Sequence, residues 1–342
     1  GGSLDRHGMQ ASRLANLSVR FSGKALPRTG IRHDGIVIAT ASDDRFLPGL
    51  PALIHSAHTH NPGARFLIID MGLSPDSHRQ LDRLLEQFDV AATVARPDRR
   101  TFALLPDGGR FTRAAYARFL VPELLPDEAR ALYIDADAVV VGCLRELWEL
   151  ELGDLLVAAA GDEFVLPEEA ARAGLEPGDY FNSGVLLMNL ARWRSDHVAA
   201  RAMQLIAADH NLTLPDQTAL NAVCRGRIAF VGREWNLLAG RPGRIAARQT
   251  RIIHFTGEDK PWRRGDAPLS GFFRVHAARA GVDLDLPARR RTFRQRLRLA
   301  LGLACLRPKH WRPLLVQWRD QLHLAKYRFR LDSSPRGAQH SP

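Results

Sequence analysis

A chain of 342 residues that is 45% hydrophobic can bury one large core or two ordinary ones, and it contains no run of eighteen apolar residues, which excludes a membrane-spanning helix. Its net charge of +11 is lopsided: residues 281–342 hold fourteen Lys and Arg against four Asp, so the first 280 residues are nearly neutral. Three scattered cysteines, Cys143, Cys224 and Cys305, form no C-x-x-C pair, which argues against a disulfide scaffold or cysteine zinc site and favours a reducing compartment.

Gly1-Gly2-Ser3 reads as a cloning remnant and residues 1–30 as that remnant plus a leader, without the continuous apolar segment of a signal peptide. IVIAT (36–40) predicts a short buried strand, SDDRFLPGL a loop, and PALIHSAHTH a helix with Pro51 near its start. RFLIIDMG (65–72) predicts a second strand. Residues 74–88 predict a helix capped by Ser74, with Pro75 in its first turn and Leu81, Leu84, Leu85 and Phe88 at helical spacing. ATVAR (92–96) is a third strand, TRAAYARFLVPELL (112–125) a helix stopped by Pro122, and ALYID (131–135) a fourth strand. LLVAAAG (155–161) and GVLLMNL (184–190) add two more, and after 190 helix and loop mix. Strands alternating with helices predict an α/β fold around a mostly parallel sheet over residues 31–280. Such sheets bind ligands at the carboxyl ends of their strands, where Asp43, Asp135 and Asp162 fall.

Asp135 and Asp137 interrupt an apolar run, LYIDADAVVV. Two carboxylates at this spacing suit a hard divalent cation such as Mn2+ or Mg2+. The plain alternative is a turn in which Asp bonds nearby amides, but apolar flanks make two unpaired carboxylates costly. In RIIHFTGEDKPW (251–262), His254 could complete a metal site, Gly257 allows close backbone approach, and Lys260 offers a point charge for phosphate. Structurally, these could equally be a core histidine and a surface lysine. In DYFNSGVLLMNLARWR (179–194), Asn182-Ser183-Gly184 breaks the chain before a strand; the plain alternative is a loop-to-strand junction with Trp193 in the core. In LPDQTALNAV (214–223), Asp216 and Gln217 open a helix, with Asp216 well placed as its N-cap.

YIDADAVV, FNSGVLLMNL, DQTALN, Trp235-Asn236 and HFTGEDKPW occur in this order, together with IVIATASDDRFLPGL and AAYARFLVPELL. The series resembles the family 8 retaining glycosyltransferases, which include glycogenins and bacterial lipopolysaccharide galactosyl- and glucosyltransferases, across residues 35–265. The resemblance implies a GT-A type α/β fold, Mn2+ (or Mg2+) as cofactor, and transfer of galactose or glucose from a UDP-sugar donor to a saccharide or glycolipid acceptor. Carried onto matching positions, it implies that Asp135, Asp137 and His254 hold the metal. Lys260 and the Gly257 amide would meet the diphosphate, Ala41 and Asp43 the nucleobase, and Arg118 the donor. Asp162, Asn182, Asp216 and Gln217 would line the donor sugar, with Asp162, Asp216 and Gln217 nearest the chemistry. Arg45 departs from the pattern, where a smaller polar residue is usual. A metal and Lys260 would neutralise the departing diphosphate more in the transition state than before it. Gln217 is a weak nucleophile, which favours front-face attack for a retaining reaction.

Beyond residue 280, Trp311, Leu315, Trp318, Leu322, Ala325 and Phe329 form a helical apolar stripe flanked by Arg312, Arg319, Lys326, Arg328 and Arg330, with a disordered end after it. A basic amphipathic helix suits an anionic membrane surface, and implies a cytoplasmic protein peripheral to the inner face of the cell membrane. The alternative is a helix docked on the body; no nucleic-acid motif accompanies it. Two rival functions remain at this level: a haloacid dehalogenase-like phosphatase using Asp135-Ala136-Asp137-Ala138-Val139, and a non-catalytic membrane-associated nucleotide-sugar-binding protein.

Overall fold

The computed structural model describes residues 20–21, 35–103, 105–106, 113–209, 211–239, 249–258, 260–264, 269–284, 323–328 and 330–332. The expected α/β sheet is present. Strands β2 (Val37–Ser42), β3 (Arg65–Asp70), β4 (Ala92–Arg96) and β5 (Arg130–Ile134) run parallel in the order β4-β3-β2-β5. A two-residue strand β1 (Arg20–Phe21), inside the segment expected to be a leader, pairs antiparallel with β4. Beyond β5 lie β8 (Val185–Asn189), antiparallel to it, then β7 (Val157–Ala160) and β9 (Ile228–Val231). A second sheet of three strands has the order β10 (Leu237–Leu238), β11 (Ile252–His254), β6 (Ala138–Val140).

The helices are α1 (Leu50–His60), α2 (Pro75–Gln87), α3 (Val121–Leu124), α4 (Arg145–Trp148), α5 (Pro167–Arg172), α6 (Leu190–Ser195), α7 (Val198–Ala208), α8 (Pro215–Cys224) and α9 (Ser270–Arg279). Strand periodicity divides the core. Ala131 and Tyr133 of β5 face a cluster with Tyr116, Phe119, Phe181 and Trp193, while Leu132 and Ile134 face Leu53, Ile54, Phe66 and Leu187. Both faces are covered, which is why these strands read as unbroken apolar runs. A third cluster, with Val139, Ile253, Phe255, Phe272 and Leu324, fastens the second sheet to α9 and the C-terminal helix.

Ser74 caps α2, accepting from the Ser77 amide as expected. Two expectations are corrected. Pro122 does not stop a helix: residues 113–120 form a 3-10 helix, and Pro122 sits in the first turn of α3, where its missing N–H costs nothing. The main-sheet strand ends before Asp135, as expected, and the chain turns there to enter a second sheet as β6. In the C-terminal helix the expected apolar stripe fails at Ala325. Residues 323–328 and 330–332 are helical, and Leu324 is buried while Ala325 is exposed. Leu324 docks the helix on the body, against Gly271. Trp311, Arg312, Leu315, Trp318, Arg319, Leu322 and the expected disordered end lie outside the described residues, as does the Phe329 side chain.

The docked helix is held by a socket of histidines. The Tyr327 hydroxyl bonds to His60 Nε2 at 2.8 Å and to His276 Nε2, and His276 Nδ1 lies 2.9 Å from His55 Nδ1. Arg279 pairs with Asp332 at the rim. Burial pushes His55 and His60 down to about 4 and lowers His276 as well. A histidine held below its unfolded value of about 6.5 stabilises the fold fully above that pH and loses the contribution as pH falls through the folded value. Residues 323–328 and 330–332 are therefore expected to keep their amide-exchange protection above about pH 6.5 and to lose it progressively between about 6.5 and 4, after correction for intrinsic exchange. Protection that stays flat across this window would count against the histidine socket.

Candidate active site around the Asp-Ala-Asp turn

The turn that leaves the main sheet is set by the backbone. The Asp135 amide donates to the Gly184 carbonyl at 2.8 Å and the Ala138 amide to the Asp135 carbonyl at 3.1 Å. Gly49, just before α1, rests on this turn: a Cβ there would collide with the Ala136 carbonyl and stand 2.9 Å from Trp262 Cζ3. Strand β6 then pairs antiparallel with β11, placing His254 opposite Ala138, and the Phe255 amide donates to the Asp137 carbonyl at 2.9 Å.

This register brings His254 to the acids. His254 Nε2 lies 3.1 Å from Asp137 Oδ1 and 3.8 Å from Asp135 Oδ2. Asp135, Asp137 and His254 each offer one ligand atom, and these atoms all lie within 4.8 Å of one another. Among the described residues no other cluster meets that condition. His254 Nδ1 faces Asn236 Oδ1 at 3.0 Å, which directs Nε2 at the carboxylates. Gly184 forms the floor. A Cβ there would lie 2.7 Å from Asp135 Oδ2 and 2.8 Å from His254 Nδ1, and closer still to His254 Cε1. The donor set of two carboxylates and one imidazole fits a divalent cation of the Mn2+ or Mg2+ type.

Charge is unevenly balanced across the site. Arg118 donates to Asp135 Oδ1 at 2.9 Å and lies 3.4 Å from Asp216 Oδ2; it also donates to the Ser183 carbonyl and to Ser183 Oγ. Lys260 Nζ bonds Asp137 Oδ2 and donates to the Phe255 carbonyl at 2.8 Å, so the structure holds this lysine on the second acid rather than apart from it. Burial pushes the Asp135 carboxyl above its usual range against the pull of Arg118, and the Asp137 charge adds to the rise. Burial also opposes ionisation of Asp137, but Lys260 and His254 together outweigh it and hold that carboxyl below the usual range. Burial works against the Arg118 charge too, yet Asp135, followed by Tyr133 and Asp216, raises its pKa. Four carboxyl groups (Asp135, Asp137, Asp162 and Asp216) thus share two basic side chains. Asp135 is 25% exposed, which leaves the cluster open on one side.

A hydrogen-bonded network extends from this cluster. Asn236 Nδ2 donates to Asn182 Oδ1 at 2.9 Å, and Asn182 Nδ2 donates to Asp162 Oδ2 at 3.1 Å. Gln217 Nε2 donates to the same Asp162 oxygen at 3.0 Å while Gln217 Oε1 accepts from the Ser183 amide at 3.0 Å. Ser183 Oγ donates to Asp216 Oδ2 at 3.2 Å, and Arg118 links Asp216 and Ser183 to Asp135. The N-cap expectation for Asp216 is corrected here. The cap residue of α8 is Leu214, and Asp216 lies inside the first turn, buried and facing Arg118. Glu169 holds that helix start instead, accepting from the Thr213 and Leu214 amides and from the hydroxyls of Thr213 and Thr218.

Asp135, Asp137, His254, Lys260, Arg118, Asp162, Asn182, Asp216 and Gln217 therefore meet in one connected site. Ala41 is buried at the carboxyl end of the adjacent β2, and Asp43 follows it. Asp43 Oδ1 accepts from the Arg45 and Phe46 amides, so this oxygen is committed to its own loop; Arg45 is 58% exposed beside it. Gly257 has a left-handed backbone, φ +83°, in the turn between His254 and Lys260. Ser183, Gly184 and Asn236 are the members that residue-by-residue reading missed. Their signals are the Asn-Ser-Gly break and the Trp235-Asn236 pair, neither of which announces a role locally.

The sequence profile of glycosyl transferase family 8 matches residues 37–266, two thirds of the chain. The General stress protein A of Bacillus subtilis is 29% identical over 255 residues, covering 68% of this chain and 89% of that protein. The lipopolysaccharide 1,2-glucosyltransferase of Escherichia coli is 27% identical over 248 residues, covering 66% of this chain and 72% of its own length. The crystal structure of the galactosyltransferase LgtC with donor and acceptor sugar analogs superposes with a TM-score of 0.62 at 25% identity, covering 74% of this chain and 98% of that one. The shared architecture is the GT-A type, and the family match sets aside the phosphatase alternative. The chain belongs to glycosyltransferase family 8.

Proposed function

We propose that this glycosyltransferase is a retaining, divalent-metal-dependent hexosyltransferase. It takes galactose or glucose from a UDP-sugar and passes it to a saccharide or glycolipid acceptor of a cell-surface glycan such as lipopolysaccharide. The single observation that carries the reading is the arrival of His254 beside Asp135 and Asp137 in a site where carboxyl groups outnumber cationic side chains. The names of the lipopolysaccharide transferases and of the LgtC complex support the substrate class. The converging ligand set also argues against a non-catalytic binding protein.

Asp135, Asp137 and His254 would hold the cation. That ion, as a Lewis acid, supplies charge neutralisation to a departing diphosphate. The chain's own groups do the rest. Lys260 brings a second positive charge to the same place, and the Gly257 turn permits close backbone approach. Ala41 and Asp43 flank the base, with Asp43 Oδ1 held by its own loop and Oδ2 facing Arg45 at 3.8 Å. Arg118 holds the Asp135 and Asp216 carboxylates in fixed positions, so no reorganisation is needed when positive charge develops on the sugar. Asp162, Asn182 and Gln217 present polar atoms toward the sugar hydroxyls. Both ends of the Gln217 amide are tied, one to Asp162 and one to Ser183, and Asp216 is paired with Arg118. Neither is a free nucleophile, which supports front-face attack by the acceptor over a covalent intermediate.

The basic tail is proposed to rest on an anionic membrane surface, keeping the enzyme on the inner face of the membrane. In its described helix Lys326, Arg328 and Arg330 are exposed. Among the described residues no helix is long and apolar enough to cross a membrane.

UDP-galactose or UDP-glucose is expected to raise the melting temperature only when Mn2+ is present, and Asp137→Ala to abolish that shift. Stabilisation unchanged in the variant would reject the metal site. Gly184→Ala should weaken Mn2+ binding about tenfold or more while far-UV circular dichroism stays native, because the added methyl enters the space between His254 and Asp135. Wild-type affinity in that variant would show that the floor is not tight. Lys326→Glu with Arg328→Glu should lower binding to phosphatidylserine or phosphatidylglycerol vesicles by about 1 kcal/mol per residue and leave turnover of a soluble acceptor unchanged. Vesicle binding that survives the double change removes the tail from the membrane role.

A further inference from the structure

Strand β5 leaves the main sheet at Asp135, so the residues that precede β8 lose the neighbour that β8 itself keeps. On one side these residues are met by the chain that follows β7. The Asp162 amide donates to the Tyr180 carbonyl at 2.8 Å and the Asn182 amide to the Ala160 carbonyl at 2.9 Å, with Gly161 opposite Phe181. In an antiparallel pair the residue between two such bonds points its own N–H and C=O the other way. Phe181 is that residue and is wholly buried, where unpaired backbone groups would be costly.

One side chain serves both groups. Asn221, on α8 and 0% exposed, accepts from the Phe181 amide through Oδ1 at 2.8 Å and donates to the Phe181 carbonyl through Nδ2 at 2.9 Å. It does for this residue what a neighbouring strand would do. A backbone N–H only donates, so the Phe181 amide fixes which end of the Asn221 side chain is oxygen. Asn221 Nδ2 also donates to the Gln217 carbonyl at 2.9 Å. One turn earlier on the same helix, Gln217 Oε1 takes the Ser183 amide. Two amide side chains, one turn apart, thus stitch α8 to residues 181–183.

We infer that Asn221 is a positioning residue for the sugar side of the site. Asp216 and Gln217 come from α8, Asn182 and Ser183 from the segment beside it, and Asp162 from the chain bonded to Tyr180. Asn221 sets the gap between the first pair and the second. Being fully buried, it acts through Phe181 and Gln217 and not on a substrate. The functional half of this inference rests on the donor-sugar reading proposed above; the clip between α8 and Phe181 does not.

The test uses the full chain with UDP-galactose or UDP-glucose and Mn2+, well below the melting temperature, with kcat referred to the folded fraction. Asn221→Leu nearly keeps the volume and removes the hydrogen bonds to Phe181 and Gln217. Asn221→Asp keeps the shape and an acceptor for the Phe181 amide but loses both donated bonds. In each variant kcat should fall about 10–100-fold while KM for the donor moves less than about threefold, because the groups proposed to meet the diphosphate stay in place. A merely structural role would lower the melting temperature and leave kcat of the folded enzyme at the wild-type level, and that result rejects the inference. Should neither variant fold, the wild type decides. By NMR of the deuterated protein, its Phe181 and Ser183 amides should exchange as slowly as those paired between β5 and β8, and fast exchange at Phe181 overturns the clip. A wild type that turns over neither UDP-hexose sinks the donor reading instead. The clip is then upheld by loss of Ser183 protection in Asn221→Leu and overturned if that protection persists.

Discussion

The antiparallel pairing of β6 with β11 is the constraint on which the site depends. Three residues of each strand fix it, with Ala138 opposite His254. Because side chains alternate along a strand, a slip of one residue would swing the imidazole to the other face of the small sheet. The acids alone could not correct such a slip, since they belong to the turn that precedes β6. The register is kept by apolar neighbours: Val139 and Ile253 pack into the cluster that includes Phe255 and Phe273. A patch of hydrophobic side chains behind the sheet therefore sets the position of three polar atoms in front of it.

The polar side of the arrangement is built so that buried charge never stands alone. Arg118 is almost wholly buried and would be costly to hold there without partners. It meets Asp135, Asp216 and Ser183, and its guanidinium lies 4.7 Å from the Tyr133 ring centroid. Lys260 lies over the Phe46 ring at 5.4 Å while it binds Asp137. The residual surplus of carboxyl groups would give an entering cation its advantage. The four acids and both bases come from stretches scattered between residues 118 and 260, since no single element could carry so much charge into a core.

How much of this is legible in the sequence depends on the range of the interaction. Ser74 caps its helix through a contact three residues long, and that is visible in the letters. The alternating strands and helices give the sheet, and the Asp135-Ala136-Asp137 spacing gives the turn. Asp216 misleads because its type and position suit a cap, while the fold supplies Glu169 from another helix and turns Asp216 toward Arg118. Pro122 misleads because a proline that stops one helix looks the same as one that starts the next. Strand β6 is hidden since its three residues continue an apolar run, and only the partner 114 residues later shows that they belong to a different sheet. Asn236 is invisible locally, as its partners His254 and Asn182 lie far from it in the chain.

Helix α1 joins two places that have been described separately. Its entry, at Gly49, stands on the carbonyl of Ala136, and its exit presents His60 to Tyr327 of the C-terminal helix. Eleven helical residues make a strut of about 16 Å, stiff on the scale of side-chain motion. A lateral tug on the tail is borne by this strut, whose far end bears on the Asp-Ala-Asp bend. The docked C-terminal helix and the Asp-Ala-Asp bend consequently share one beam, and no hinge among the described residues of α1 separates them.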